Sequence, residues 1–99
     1  MFWVRVHDLG EHVFVTVVDK ELLGKRFKEG DIILDINEDF FKGELLDEEL
    51  ALARMEAATS LYVIGKRAVK LAVEGEFIHP AAIKKVEGVP YAQMLLLYA

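Results

Sequence analysis

Two alternating apolar runs, Phe2 to His7 and His12 to Val18, flank the segment Asp8-Leu9-Gly10-Glu11, and a chain that begins this way is committed to a β-hairpin. Side chains alternate between the faces of a strand, so Phe2, Val4 and Val6 share one face while Trp3, Arg5 and His7 share the other. Gly10 tolerates the positive φ that a tight hairpin loop requires. With Leu9 and Gly10 as the loop, Val6 opposes Val13, Val4 opposes Val15 and Phe2 opposes Val17. That face is wholly apolar and is expected to lie on the core. The other face pairs His7 with His12, Arg5 with Phe14 and Trp3 with Thr16, a mixed aromatic and polar surface.

Beyond the hairpin, Asp19 to Gly24 reads as a short helical turn, with Asp19 as its cap and Gly24 as its left-handed stop. Phe27 anchors a loop that turns at Glu29-Gly30. Asp31 to Asn37 alternates, with Ile32, Leu34 and Ile36 on one face, and is predicted as a third strand. Phe40, Phe41 and Gly43 mark a loop pinned by aromatic burial. Asp47 caps a predicted helix whose first turn carries Glu48 and Glu49, correctly signed for the helix dipole. Leu61 to Ile64 reads either as a short strand or as a helix-to-helix connection. Gly65 then precedes the strongest amphipathic pattern in the chain. On a helix, Lys66, Arg67, Lys70 and Glu74 share one arc, and Ala68, Val69, Leu71, Ala72 and Val73 cover the rest.

His79-Pro80 marks a boundary, Ile83 to Val86 a short strand, Gly88-Val89-Pro90 a turn, and Tyr91 to Tyr98 a last strand. Residues 1–99 are therefore expected to form a single compact α+β domain. Its N-terminal β-hairpin extends into a mixed or antiparallel sheet packed against two main helices.

The chain has no cysteine, which excludes disulfides, thiolate zinc sites and a cysteine nucleophile. Arg5, His7 and Asp8 near its start are unlike a signal peptide, and no run reaches the roughly 18 apolar residues of a membrane span. A cytoplasmic protein with no membrane partner is expected. The net charge of -5 is unevenly spread: residues 31–60 carry two basic and nine acidic groups, residues 61–99 five basic and three acidic. The acidic middle repels phosphate backbones and works against broad nucleic-acid binding, leaving direct nucleic-acid contact an open expectation.

Chemistry-bearing constellations are sparse. Facing His7 and His12 would offer two imidazoles, but zinc or copper wants further ligands, so no metal is assigned. Thr16, Thr59 and Ser60 sit in no nucleophile turn, and the carboxylates match no calcium loop. No catalytic residue and no cofactor is assigned. Two surfaces remain. Trp3, Arg5, His7, His12 and Phe14 combine rings and hydrogen-bond donors in the manner of protein-binding or RNA-binding faces. Gly65, Lys66, Arg67 and Lys70 form a candidate anion site, where free helix N–H groups would converge with cations.

The segments Asp19-Lys-Glu-Leu-Leu-Gly-Lys-Arg-Phe-Lys-Glu-Gly30, Phe40-Phe-Lys-Gly-Glu44, Val63-Ile-Gly-Lys-Arg-Ala-Val69 and Gly88-Val-Pro-Tyr-Ala-Gln93 follow one another in this order. Together they resemble a small conserved archaeal family of domain-of-unknown-function proteins, over nearly the whole chain. The chain departs from that family's pattern at Tyr91, where the family carries His after the Gly-Val-Pro turn. The resemblance implies an archaeal cytoplasmic origin and a stand-alone domain, and brings with it no activity, substrate or catalytic residue.

The function expected from sequence is a small noncatalytic binding module that contacts a protein partner or an RNA–protein assembly, or a second copy of itself in a homodimer. The alternative is a small enzyme or a protein that binds a phosphate-containing ligand near Gly65-Lys66-Arg67 and Gly88-Val89-Pro90. That alternative requires a concave pocket joining the two segments.

Overall fold

The structure is a computed structural model and describes residues 1–95. β1 (Phe2–Asp8) and β2 (Val13–Asp19) form the N-terminal hairpin. Its loop is Gly10-Glu11 rather than Leu9-Gly10: the Leu9 N–H donates to the His12 carbonyl at 2.8 Å, and Gly10 carries a φ of 82°. The Asp8 carboxylate accepts the Gly10 N–H at 3.1 Å and fixes the turn one residue further along. Val4 therefore faces Val17, Val6 faces Val15 and His7 faces Phe14. Each partner moves by two residues, which preserves the face of every side chain but parts His7 from His12.

β2 pairs in parallel with β6 (Ser60–Ile64), so the expected short strand is the correct reading of that segment. β8 (Val89–Leu95) lies antiparallel to β6, and β7 (Lys84–Val86) antiparallel to β8. β5 (Glu44–Leu46) covers the free side of β1, giving the order β5-β1-β2-β6-β8-β7. No strand signal marks β5 in the sequence, because three residues are too few to show a period. Gly43 before it is pressed so closely on the Val4 carbonyl that a Cβ would overlap it. The expected last strand starts at Val89, not Tyr91, and its residues 96–98 lie outside the described residues.

Two helices pack on one face of this sheet: α2 (Glu48–Glu56) and α3 (Lys66–Glu74). Asp47 caps α2 as expected, accepting the Leu50 N–H at 3.0 Å. Ala51 and Met55 of α2 and Ala68, Val69, Leu71 and Ala72 of α3 bury against Phe2, Val4, Val15, Val17, Leu61 and Val63. Lys66, Arg67, Lys70 and Glu74 remain outside, as the amphipathic pattern requires.

The opposite face is covered by elements that the sequence showed only in part. β3 (Arg26–Glu29) and β4 (Ile32–Asp35) form a separate two-stranded sheet, although the segment around Phe27 reads as loop. Leu34 and Ile36 bury on Val18 and Ile64, but Ile32 is half exposed at the hairpin tip and does not join them. α1 (Glu38–Phe41) replaces the expected aromatic loop. The Asn37 side chain caps it by accepting the Phe40 N–H at 2.8 Å, and Phe41 is buried. The result is an α+β fold in which the N-terminal hairpin extends into a mixed sheet packed against helices.

Candidate functional site

β2 and β6 run parallel and end side by side, at Asp19 and at Gly65. In open sheets the crevice beyond the carboxyl ends of parallel strands is where ligands gather. Asp19 does not cap the turn that follows it, a 3-10 segment over Lys20–Leu22. It reaches instead to α3: its carboxylate accepts the Arg67 N–H at 3.1 Å and the Ala68 N–H at 2.7 Å. The Arg67 guanidinium lies 4.0 Å from the same carboxylate and bonds Glu21 at 2.7 Å. Asp19 is 3% exposed, and loss of water pushes its carboxyl above the usual carboxylate range. The two amide bonds and the Arg67 charge oppose that rise, while the Glu21 charge adds to it.

Gly65 permits this arrangement twice over. Its φ of 109° is open to glycine, and a Cβ there would collide with the Asp19 carboxyl carbon. The Gly65 N–H donates to the Pro90 carbonyl at 2.8 Å, which ties the start of α3 to β8. Gly88-Val89-Pro90 is not itself the turn. The turn is Glu87-Gly88, both at positive φ as a two-residue hairpin loop wants, and Val89 and Pro90 are already strand. The Glu87 carboxylate accepts the Lys28 N–H at 2.8 Å, and the Glu29 carboxylate accepts the Glu87 N–H at 2.9 Å. These bonds clasp the β3–β4 hairpin to this turn.

Together these elements enclose a cleft of about 470 Å³, lined by Asp19, Glu21, Gly65, Lys66, Arg67 and Gly88-Val89-Pro90 among others. The two segments that the sequence singled out do meet in one concavity. At Gly65, Lys66 and Arg67, where an anion site is expected, groups of the chain itself already hold part of the donor set. The Arg67 and Ala68 N–H groups already bond Asp19, and the Arg67 guanidinium bonds Glu21. Lys70 lies further along α3 and lines a second depression of about 410 Å³ with Lys66, Val69, Val73, Ile83 and Lys85. Lys66, Gly88 and Pro90 line both, so the two depressions adjoin. Ile83 and Lys85 were not among the expected site residues. The adjacent Lys84-Lys85 pair was the available signal, but nothing in the sequence brings it to α3.

The aromatic side of the hairpin lies across the sheet from this groove, and the chain itself covers much of it. His7 stacks on Phe14 at 5.5 Å and on Phe40 at 4.9 Å between ring centroids. Arg5 donates to the Asp39 backbone carbonyl, and the Lys42 ammonium sits 5.7 Å from the centre of the Trp3 ring. Trp3, Arg5, His7 and Phe14 are all half-buried, and His12 is exposed beside the turn. The Nε2 of His7 is buried with no partner among the described residues, as is the hydroxyl of Thr16. Burial, followed by the nearby Arg5 charge, lowers the His7 pKa against the pull of the Phe40 carbonyl. Among the described residues no three His, Cys, Asp or Glu side chains gather as a metal site would need, and no helix is long and apolar enough to cross a membrane.

Comparison with known proteins agrees with this architecture. A crystal structure of an uncharacterized conserved protein from Methanopyrus kandleri is similar to 97% of this chain and covers 91% of its own, at 25% identity and a TM-score of 0.81. No curated protein matches the sequence. Residues 6–97 match the family model described as "Protein of unknown function (DUF424)". The resemblance to an archaeal family of unknown function is thereby met, and the chain belongs to the DUF424 family.

Proposed function

We propose that this domain is a noncatalytic binding module that recognises an acidic partner, a protein or the protein part of an RNA–protein assembly, through the face shared by α3 and the β7–β8 hairpin. The observation that carries this reading is the depression between α3 and β7, lined by Lys66, Lys70 and Lys85 with Glu74 as the one carboxylate side chain among the described lining residues. All five basic residues of the last third of the chain lie on α3 or β7, while the acidic residues concentrate in the middle third. A lysine-rich depression beside an acidic body steers a partner of opposite charge into one orientation. The proposed aromatic contact at Trp3, Arg5, His7, His12 and Phe14 has less support, because α1 and Lys42 already occupy its rings.

A second reading is favoured by the size of the cleft. At about 470 Å³ it falls in the range of small-ligand sites and lies where parallel strands end. A phosphate-containing ligand there would meet Lys66 and Arg67, but also the carboxylates of Asp19 and Glu21. That balance places it behind the partner-binding reading.

Affinity purification from the native cell separates them when the wild type is run beside Lys70→Glu/Lys85→Glu and beside Trp3→Ala/Arg5→Ala. The proposal expects a nuclease-resistant protein partner that the lysine variant loses and the Trp3/Arg5 variant keeps. Loss only in the second variant would overturn the choice of face. A metabolite released from the purified wild-type protein by denaturation would favour the second reading.

A further inference from the structure

We infer that the groove between α3 and β7 receives a short peptide segment in which aliphatic side chains alternate with carboxylates. The inference rests on the partner-binding reading above and names the chemistry of what is bound. The floor of the groove is made by Val69, Val73, Ile83 and Pro90, and its rim by Lys66, Lys70 and Lys85, with Glu74 the one carboxylate among the described lining residues. Those three lysines form no ion pair among the described residues, whereas Arg54 and Arg67 both do. An apolar floor gains from the removal of water only if the occupant presents apolar side chains to it. A rim of unpaired ammonium groups selects for carboxylate or phosphate on either side.

Register decides which cations share this face. Lys85 opposes Pro90, and with Ala92 it lies on the helix side of the sheet. Lys84 opposes Tyr91, on the far side with Tyr62. Lys85 thus completes a triangle with the two lysines of α3, and Lys84 does not. The lining also separates a peptide from a nucleic acid. Single-stranded nucleic acids are held by base stacking on aromatic rings beside cations. Among the described residues no aromatic side chain lines the groove, and the aromatic residues Trp3, Tyr62 and Tyr91 are on the opposite face of the sheet. Stacking platform and cation rim, which a joint RNA surface would combine, are divided by the sheet. Carboxylates flanking Leu, Ile or Val satisfy both parts of the groove with one occupant.

The test is a calorimetric titration of the full chain with a short synthetic peptide of alternating glutamate and leucine. A serine-for-leucine peptide, a lysine-for-glutamate peptide and an oligouridylate serve as comparisons. Binding of the first peptide is expected to weaken about tenfold or more when its leucines become serines, and by a similar factor in Lys70→Glu/Lys85→Glu, the size of effect that lost apolar or charged contacts produce at an interface. Both lysines are exposed, so the variant is expected to fold, and an unchanged circular-dichroism melt verifies it. Lys84→Glu is expected to bind as the wild type does.

Equal binding of the serine peptide would overturn the apolar half of the inference. Oligouridylate binding with the same lysine dependence, in place of peptide binding, would overturn the peptide and leave an anionic partner at this face. Self-association lost in the lysine variant would point to a second copy of the chain and equally overturn the peptide. If the lysine variant changes neither peptide binding nor the partner recovered from cells, inference and binding face both fall.

Discussion

Asp19 at the end of β2 accepts the backbone N–H of Ala68 in the first turn of α3 at 2.7 Å, across 49 positions of sequence. A helix start normally satisfies its free N–H groups with a residue just before it. Here Gly65 has no side chain to offer, and the adjoining strand supplies the cap instead. Asp19→Ala removes the acceptor of two N–H groups in a buried site. It is expected to destabilise the fold by about 1–3 kcal/mol, the usual penalty for a lost cap with unsatisfied partners. Urea denaturation checks this. The raised pKa of Asp19 makes the deficit depend on pH. Between the unfolded value near 3.8 and the higher folded value, the native state binds more protons than the unfolded chain. The stability contributed by Asp19 is therefore greatest at or below pH 3.8 and declines as pH rises through that window.

Gly65 and Gly88 both have positive φ, but only Gly65 is crowded. Gly88→Ala meets no atom within 4 Å of the new Cβ and is expected to cost about 1–2 kcal/mol for its left-handed backbone alone. Gly65→Ala would be strained at φ 109° and ψ 156°, a region open essentially to glycine, and would also drive a methyl group into the Asp19 carboxylate. Its loss should exceed that of Gly88→Ala by at least about 1 kcal/mol. Thermal melts of the two variants side by side test the difference, and equal losses would show that Asp19 can move away.

His7 links stability to mildly acidic pH. Burial holds its pKa below 6.5, so in the window beneath 6.5 the unfolded chain takes up more protons than the folded one. Stability is complete above pH 6.5 and falls as pH drops toward the folded value. His7→Phe retains a ring between Phe14 and Phe40 and removes the titration. Its urea midpoint should change less between pH 7.5 and pH 5.5 than that of the wild type.

Thr16 is fully buried, opposite Arg5 on β1 and Tyr62 on β6, and its hydroxyl has no partner among the described residues. Thr16→Val keeps the branched shape that suits a strand and relieves the desolvated hydroxyl. A gain of about 1 kcal/mol is expected from chemical denaturation, in contrast to the loss that most core substitutions produce.

The parts of the fold that could be read in advance were those with a local period. The alternation in β1, β2 and β4 and the helical arc of α3 are each properties of a few consecutive residues. So is the Asp47 cap of α2. What escaped depended on distant partners. β3 is a strand because Phe27 and Leu34 pair over β7, and β5 because Gly43 allows close approach to Val4. Asp19 has the ordinary pattern of a cap for its own turn, and only the folded sheet gives it to α3. The candidate site was half legible for the same reason. Lys66, Arg67 and Lys70 follow from helical spacing, whereas Lys85 and Ile83 join them only once β7 is placed beside β8. The hairpin register missed by two residues because the Asp8 side chain selected the loop.

The most direct measurement of the central claim is a backbone amide map of the 15N-labelled protein titrated with the glutamate–leucine peptide. Shift changes are expected only at Lys66, Lys70, Val73, Ile83, Lys85 and Gly88, with the resonances of Trp3, His7, His12 and Phe14 unmoved. Changes centred on those four hairpin residues, with α3 and β7 silent, would contradict it.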